Sequence, residues 1–431
     1  MRLNSASALA LRARLWPTLL FLLVCIPSPV RAVGTLKIIS VNGTDIPFGF
    51  SISRDNHLAV PYHLNDQYGL YVYGLNDGVS SPGLPAGLRA AYPIISNWGL
   101  ALISDHNGFT PTDVYAAPRG QQLQLLQSGQ GYSDFSSLGL NDQGVVSFLG
   151  RATNTHGPDL VFRSQPGPTP YAQLLPPSGD GSYIFTNLDA SGRLYTLATD
   201  QSTTPFTFSV KAFSDAGGWV NRTAGFNSVS SSGPPGSVLA VNPGGQFTFP
   251  ATYDSNTKHG IYLATQSGFK FLFDRTSVQE THDAIEATVS ISDRGDVLAL
   301  IGQTSNTPFD KRTLFYTYDG RFIDLQSILP PGKEISPFKV ASLSYDGHLL
   351  VEARDILSGK WEYYGYDGST ATLLMDLDTR ALSPRLANDG LIYFYEQTGS
   401  TYSLFQTVPE PSSMLALSSA LFLLPRRKRL S

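Results

Sequence analysis

The residues best equipped for chemistry are seven histidines (His57, His63, His106, His156, His259, His282 and His348) and the segment "ETHDAIE", which carries Glu280, His282, Asp283 and Glu286. On a helix those four side chains could gather carboxylates and an imidazole around a metal. In a loop they are only solvated, and the loop is the preferred reading. No histidine belongs to an H-E-x-x-H pattern, and no pair at i, i+4 has a third ligand in view. The two Gly-Lys pairs, Gly332-Lys333 and Gly359-Lys360, are followed by Glu334 and Trp361 rather than by the hydroxyl a phosphate loop needs. A G-x-S-x-G nucleophile elbow is absent. The Asp-Gly turns lack the alternating acidic ligands of calcium loops. Glycosidases need two carboxylates across a pocket, and the sequence singles out no pair among its 34 acids. No catalytic residue, metal ligand or cofactor is therefore assigned.

The elements that would have to position any site are strands. The 431 residues are 42% hydrophobic and only 15% charged, with 24 Phe, 21 Tyr, 40 Gly and 29 Pro. Low charge and abundant aromatics argue against disorder. Aromatics on half-buried pleated surfaces, punctuated by turn residues, point to an all-β chain.

The start of the chain reads as an export signal. Arg2, Arg12 and Arg14 precede an apolar run from Leu15 to Ile26, and Val30-Arg31-Ala32 supplies small residues at the −3 and −1 positions of a cleavage site after Ala32. Residues 1–32 are thus expected to be a signal peptide. The only cysteine, Cys25, lies inside this run, and Val24 before it does not suit a lipoprotein signal. A mature chain would then have no disulfide and no thiolate. From residue 33 to 411 there are 22 basic and 34 acidic residues, a net charge of −12. Such a surface repels phosphate backbones, so nucleic acid is not an expected partner.

Between the ends one pattern recurs: "SRDN" (53–56), "SNWG" (96–99), "NDQG" (141–144), "DASG" (189–192), "NPGG" (242–245), "SDRG" (292–295), "SYDG" (344–347) and "ANDG" (387–390). A small hydrogen-bonding residue at the first position and Gly at the fourth are the preferences of a type I turn. Strand-like runs follow each turn, "VVSFLG" and "LIYFYE" among them. The turns repeat every 43 to 53 residues with no helix signal between them, which is the signature of a β-propeller. Four apolar runs follow "SDRG", one blade's worth. Two runs remain after "ANDG" and two stand ahead of "SRDN", so two strands from each terminus would complete a last blade and leave no free edge. The expectation is a single ring over residues 33–406 with eight four-stranded blades, or seven as the fallback. The turns resemble the Asn-Asp-x-Gly strand repeats of secreted bacterial surface propellers. Sialidase propellers place a Trp after their repeated turns, and no such Trp occurs here.

Residues 407–431 read as an address. Pro409-Glu410-Pro411 is followed by an apolar run from Met414 to Leu424 and by the basic cluster Arg426, Arg427, Lys428 and Arg429. The prolines keep the backbone extended and open to a protease. The apolar run can enter a bilayer, and the basic cluster holds its end on the cytoplasmic side. At 11 residues the run is short of the ~20 needed to span the hydrocarbon core, which suits a transient signal better than an anchor. Tripeptide, apolar run and basic cluster, in that order, resemble the PEP-CTERM sorting signal. The resemblance implies that an exosortase-type enzyme is a partner, that it cuts near the Pro-Glu-Pro, and that the chain is a surface or matrix protein of a bacterium making exopolysaccharide.

Two functions follow as expectations. The first is a non-enzymatic surface propeller that presents its loops to a ligand or matrix polymer, with extracellular polysaccharide as a candidate. The alternative is a propeller glycoside hydrolase or lyase acting on that polysaccharide. Trp98, Trp219, Trp361 and the run "YYGY" (363–366) could stack on sugars, but blade cores use the same residues for packing. In the central channel, several carboxylates and Arg converging in one deep pocket would favour the enzyme, and an apolar or Ser-filled channel would favour binding.

Overall fold

In the computed structural model the described residues run from 32 to 409, apart from 43–49, 65–66, 85–88, 106–110, 130, 153–159, 165–171, 175–179, 201–206, 227, 230–238, 254–257, 275–287, 302–311, 336–340 and 400. The chain divides into one large unit, Leu36–Gln406, and a second made of its two ends, Met1–Thr35 and Thr407–Ser431.

The large unit is built from eight antiparallel sheets, taken here as blades 1 to 8. Strand β1 (Ala32–Asn42) comes first in the chain and belongs to the last blade. Blade 1 has β2 (Ser51–Ile52), β3 (Leu58–Leu64), β4 (Gln67–Gly74) and β5 (Gly78–Ser80). Blade 2 has β6 (Arg89–Ile95), β7 (Gly99–Asp105), β8 (Pro111–Pro118) and β9 (Gln124–Gln127). Blade 3 has β10 (Tyr132–Leu140), β11 (Val146–Ala152), β12 (Leu160–Arg163) and β13 (Ala172–Leu174). Blade 4 has β14 (Asp180–Leu188), β15 (Leu194–Asp200), β16 (Thr207–Ser214) and β17 (Gly218–Asn221).

Blade 5 opens with two short pieces, β18 (Ser228–Val229) and β19 (Ala240–Val241), both paired to β20 (Phe247–Tyr253), then β21 (Lys258–Thr265) and β22 (Gly268–Asp274). Blade 6 has β23 (Thr288–Ile291), β24 (Val297–Ile301), β25 (Arg312–Tyr316) and β26 (Phe322–Asp324). Blade 7 again splits its first strand, into β27 (Lys333–Ile335) and β28 (Ala341–Leu343), both against β29 (Leu349–Asp355), followed by β30 (Trp361–Tyr366) and β31 (Ala371–Leu377). Blade 8 joins β32 (Leu382–Leu386), β33 (Ile392–Thr398), β34 (Thr401–Pro409) and β1, in the order β1-β34-β33-β32.

The fold is an eight-bladed β-propeller, and its core shows why the sequence closes a ring. The second strand of a blade is buried on both faces, as in the unbroken run Leu349 to Ala353, so it reads as continuously apolar rather than alternating. Each face then packs on a neighbouring blade. Eight hydrophobic clusters among the described residues fall at the eight junctions between successive blades. One of them joins Phe148 and Phe162 of blade 3 to Ile103 and Val114 of blade 2. Another joins Leu58 and Tyr73 of blade 1 to Tyr393 and Leu404 of blade 8. That last cluster closes the ring.

The closing blade corrects the sequence reading in one respect. Its strands divide three and one between the termini, not two and two. The strand before each turn and the strand after it form one hairpin, so β32 stays with β33, and β2 stays with blade 1. Counting runs from the turns had cut every blade after its first strand. Among the described residues no helix is long and apolar enough to cross a membrane. The run 414–424, like Glu410, Pro411 and the cluster Arg426–Arg429, lies outside the described residues.

Candidate functional site

The repeated motif forms the turn between the first and second strands of every blade. In seven of the eight, the fourth residue donates its N–H to the first residue's carbonyl at 2.9–3.2 Å and adopts a left-handed φ between +64° and +98°. This is why Gly, or Asn56, stands there. In six turns the first side chain also accepts the N–H four residues on, as Ser53 does from His57 and Asp189 from Arg193. "SNWG" departs from the pattern. Gly99 begins β7 without a left-handed φ, and it is glycine because a Cβ would run into the carbonyl of Ala117. Conversely, "TYDG" (317–320), between β25 and β26, builds the same turn at a place the repeat did not flag.

Each turn is bonded to the next. Asp55 N–H donates to Asn97, Asn97 N–H to Asp142, and the Asn141 amide to the carbonyl of Asp189. Ala190 N–H then donates to the carbonyl of Pro243, and the Asn242 amide to that of Ser292. Asp293 N–H reaches the carbonyl of Tyr345, and Asp346 N–H the side chain of Asn388. Asn388 N–H returns to Asn56, and its amide to the carbonyl of Arg54. A closed annulus of hydrogen bonds therefore links all eight turns.

Four of the turns' second residues, which the repeat left variable, meet inside the annulus. Arg54 of blade 1 bonds Asp293 of blade 6 through Nε at 2.8 Å and Nη2 at 3.3 Å, and Asp142 of blade 3 through Nη1 at 2.8 Å. Its guanidinium also lies 4.7 Å from the ring centre of Tyr345 in blade 7. A side chain of blade 1 can meet blades 3, 6 and 7 at once only near the axis. Burial works against the charge on Arg54, but Asp293 and then Asp142 raise its pKa above the ordinary value. Burial raises the Tyr345 phenol and lowers Arg385, whose charge also bears on that phenol. Carboxylates and an arginine do converge here, as the enzymatic reading required. They bond one another, and Asp142 gives its other oxygen to Asn97 N–H at 2.9 Å.

Two buried glutamates sit in blade 7. Glu352 binds Arg380 at 2.7 Å and the Tyr363 hydroxyl at 3.2 Å. Glu362 binds Lys333 at 2.7 Å and the Tyr364 hydroxyl. Glu352 is directly opposite Tyr363, whereas Glu362 is opposite Ala353. Because alternate residues of a strand face opposite ways, the two carboxylates point to opposite faces of the sheet. They do not flank a common pocket.

A cleft of about 490 Å³ opens between blades 1 and 2, on the side of the linked turns. His57 Nε2 lies 2.8 Å from Asp77 Oδ2, and its Nδ1 lies 3.2 Å from Asp55. Asp55 also pairs with Arg119 at 2.6 Å. Burial alone would raise the Asp55 carboxyl, but the hydrogen bonds from Arg119 and Ser53 outweigh it and hold the pKa at about 2, against an ordinary 3.8. Its folded-state pKa is depressed, so the stability Asp55 contributes is present above the ordinary value and is lost as pH falls through about 2. In Arg119→Met the carboxyl should move back toward the ordinary range, and carbon-13 titration of the Asp55 carboxyl would read this directly.

Of the other sequence candidates, His348 lies 3.3 Å from Asp346 in its own turn. His106, His156 and the whole of "ETHDAIE" lie outside the described residues, and the side chains of His63 and His259 do as well. The three tryptophan candidates are half-buried, and the tyrosines Tyr363, Tyr364 and Tyr366 are buried. Trp219 stacks on Tyr183 with ring centres 5.4 Å apart, and Trp98 fills the space beside Gly144. Trp361 lies under Arg380, 5.2 Å away. Ala32 begins β1 and Pro409 ends β34.

No family model matches the chain, and no curated protein matches it. Among solved structures, the β-propeller domain of the Trilobed protease from Pyrococcus furiosus is 10% identical. That likeness covers 79% of this chain and 97% of that one, at a TM-score of 0.48. Streptogramin B lyase is 12% identical over 86% of this chain and 97% of that one, at 0.41. TolB from Acinetobacter baumannii is 10% identical over 81% and 80%, at 0.36. Likenesses of this size carry no function across, and the propeller assignment rests on the eight sheets and their closed annulus.

Proposed function

We propose that this chain is an exported propeller, sorted to the cell surface or extracellular matrix by its PEP-CTERM tail, that serves as a rigid, non-enzymatic binding platform. One observation carries the reading. The inferred signal-peptidase cut after Ala32 removes only the first residue of β1, and a cut at Pro409-Glu410-Pro411 falls at or beyond the last residue of β34. Both cuts therefore spare the two strands that close the ring, so processing at each end would release a finished domain. The linked turns support the platform role, since they hold one face of the ring fixed while other loops are free to vary. The hydrolase or lyase alternative has its converging arginine and carboxylates at the axis, but Arg54, Asp142 and Asp293 bond one another, and Glu352 and Glu362 face apart.

The test is the intact mass of the protein isolated from native cell envelope. The expected mass begins at Val33 and ends near Pro411. A mass that retains residues 412–431 overturns the sorting reading.

A further inference from the structure

We infer that the cleft between blades 1 and 2 binds an uncharged saccharide segment, with Asp77, Gln121 and Gln122 as its contacts. The inference rests on the binding-platform reading and gives it a ligand class. The volume of about 490 Å³ lies inside the ~300–1,000 Å³ range of small-molecule sites. The inner wall is apolar, from Val72, Ile95, Leu100 and Ala117, and suits the C–H face of a sugar ring. The rim carries Gly78, Gly83 and Gly120 in left-handed turns, where even an added Cβ would meet nothing within 4 Å. The entrance is therefore low and open.

The polar groups decide the class. His57 holds one oxygen of Asp77 at 2.8 Å, and with its side chain 64% exposed Asp77 can turn the other oxygen to accept a sugar hydroxyl. The amides of Gln121 and Gln122 are exposed on the facing blade and can both donate and accept. Arg119, the cleft's arginine, is engaged by Asp55. Among the described residues lining the cleft, a carboxylate with two amides and no uncommitted cation suits a neutral polyol and repels a uronic acid or a phosphate.

The experiment is calorimetric titration of the mature chain with neutral hexasaccharides (cellohexaose, isomaltohexaose, laminarihexaose and mannohexaose) and with hexagalacturonate as the acidic probe. The expected result is binding of at least one neutral hexasaccharide, weakened about tenfold by Asp77→Asn through loss of a charge-assisted hydrogen bond. The double variant Gln121→Ala/Gln122→Ala should weaken it as well, with no change in melting temperature because both side chains are at the surface. Preference for hexagalacturonate, no binding of any neutral probe, or binding indifferent to both variants would each overturn the assignment. None of these outcomes alters the envelope mass, so the cleft and the sorting reading fail independently.

Discussion

Arg380→Ala is expected to destabilise the propeller by about 3–4 kcal/mol, because it strands the carboxylate of Glu352 inside blade 7. Glu352 is 2% exposed, and Arg380 supplies its cation through two contacts of 2.9 and 2.7 Å. The Tyr363 hydroxyl would remain as a donor, but its pKa is already pushed far up, first by burial and then by this same carboxylate. A neutral donor cannot replace the lost charge. Part of the loss is also packing, since the guanidinium covers the ring of Trp361. Urea melts would show the midpoint falling with the slope unchanged. Removing the stranded charge as well, in Glu352→Gln/Arg380→Ala, should recover about 2 kcal/mol of the loss. A double variant no better than the single would mean that Arg380 acts only by packing.

The second large effect is expected at the axis. Arg54→Ala removes the one cation shared by Asp142 and Asp293 and leaves two carboxylates at the centre of the ring. The side chains are 26%, 31% and 35% exposed, so the cost is discounted from the buried range to about 2–3 kcal/mol. Scanning calorimetry should then show a melting temperature lower by roughly 3 °C. A double variant gives the sharper test. In Arg54→Ala/Asp293→Asn one of the two facing carboxylates is gone as well, so part of the deficit should be recovered. Arg54→Lys should lie between, because a single ammonium cannot repeat the fork that grips both partners. A double variant no better than Arg54→Ala would show that Asp293 is not what Arg54 neutralises.

These two sites were not equally legible. "YYGY" was open to either sugar stacking or blade packing, and its tyrosines do lie in the core of blade 7. That Glu352 and Glu362 face apart was not readable, because it depends on the register that sets Glu352 against Tyr363 and Glu362 against Ala353. At the axis, the alignment of the eight turns already held a signal. Their second positions are Arg, Asn, Asp, Ala, Pro, Asp, Tyr and Asn, and one Arg with two Asp in such a column could have been read as a meeting point. The cleft left no trace of that kind, since its walls come from separate stretches of blades 1 and 2 with no shared motif.

The sequence by itself determined the turns, their number and the all-β class. A type I turn is made by four or five consecutive residues, so Ser53 or Asn141 with its glycine or asparagine partner suffices to write it. The repeat of such turns every 43 to 53 residues then implied a ring. Tertiary structure alone decided how the last blade divides between the termini, three strands to one, and which charges meet at the centre. Arg54 reaches partners 88 and 239 residues away. Contacts at such separations exist only once the ring has closed, and no local pattern of residue types can encode them.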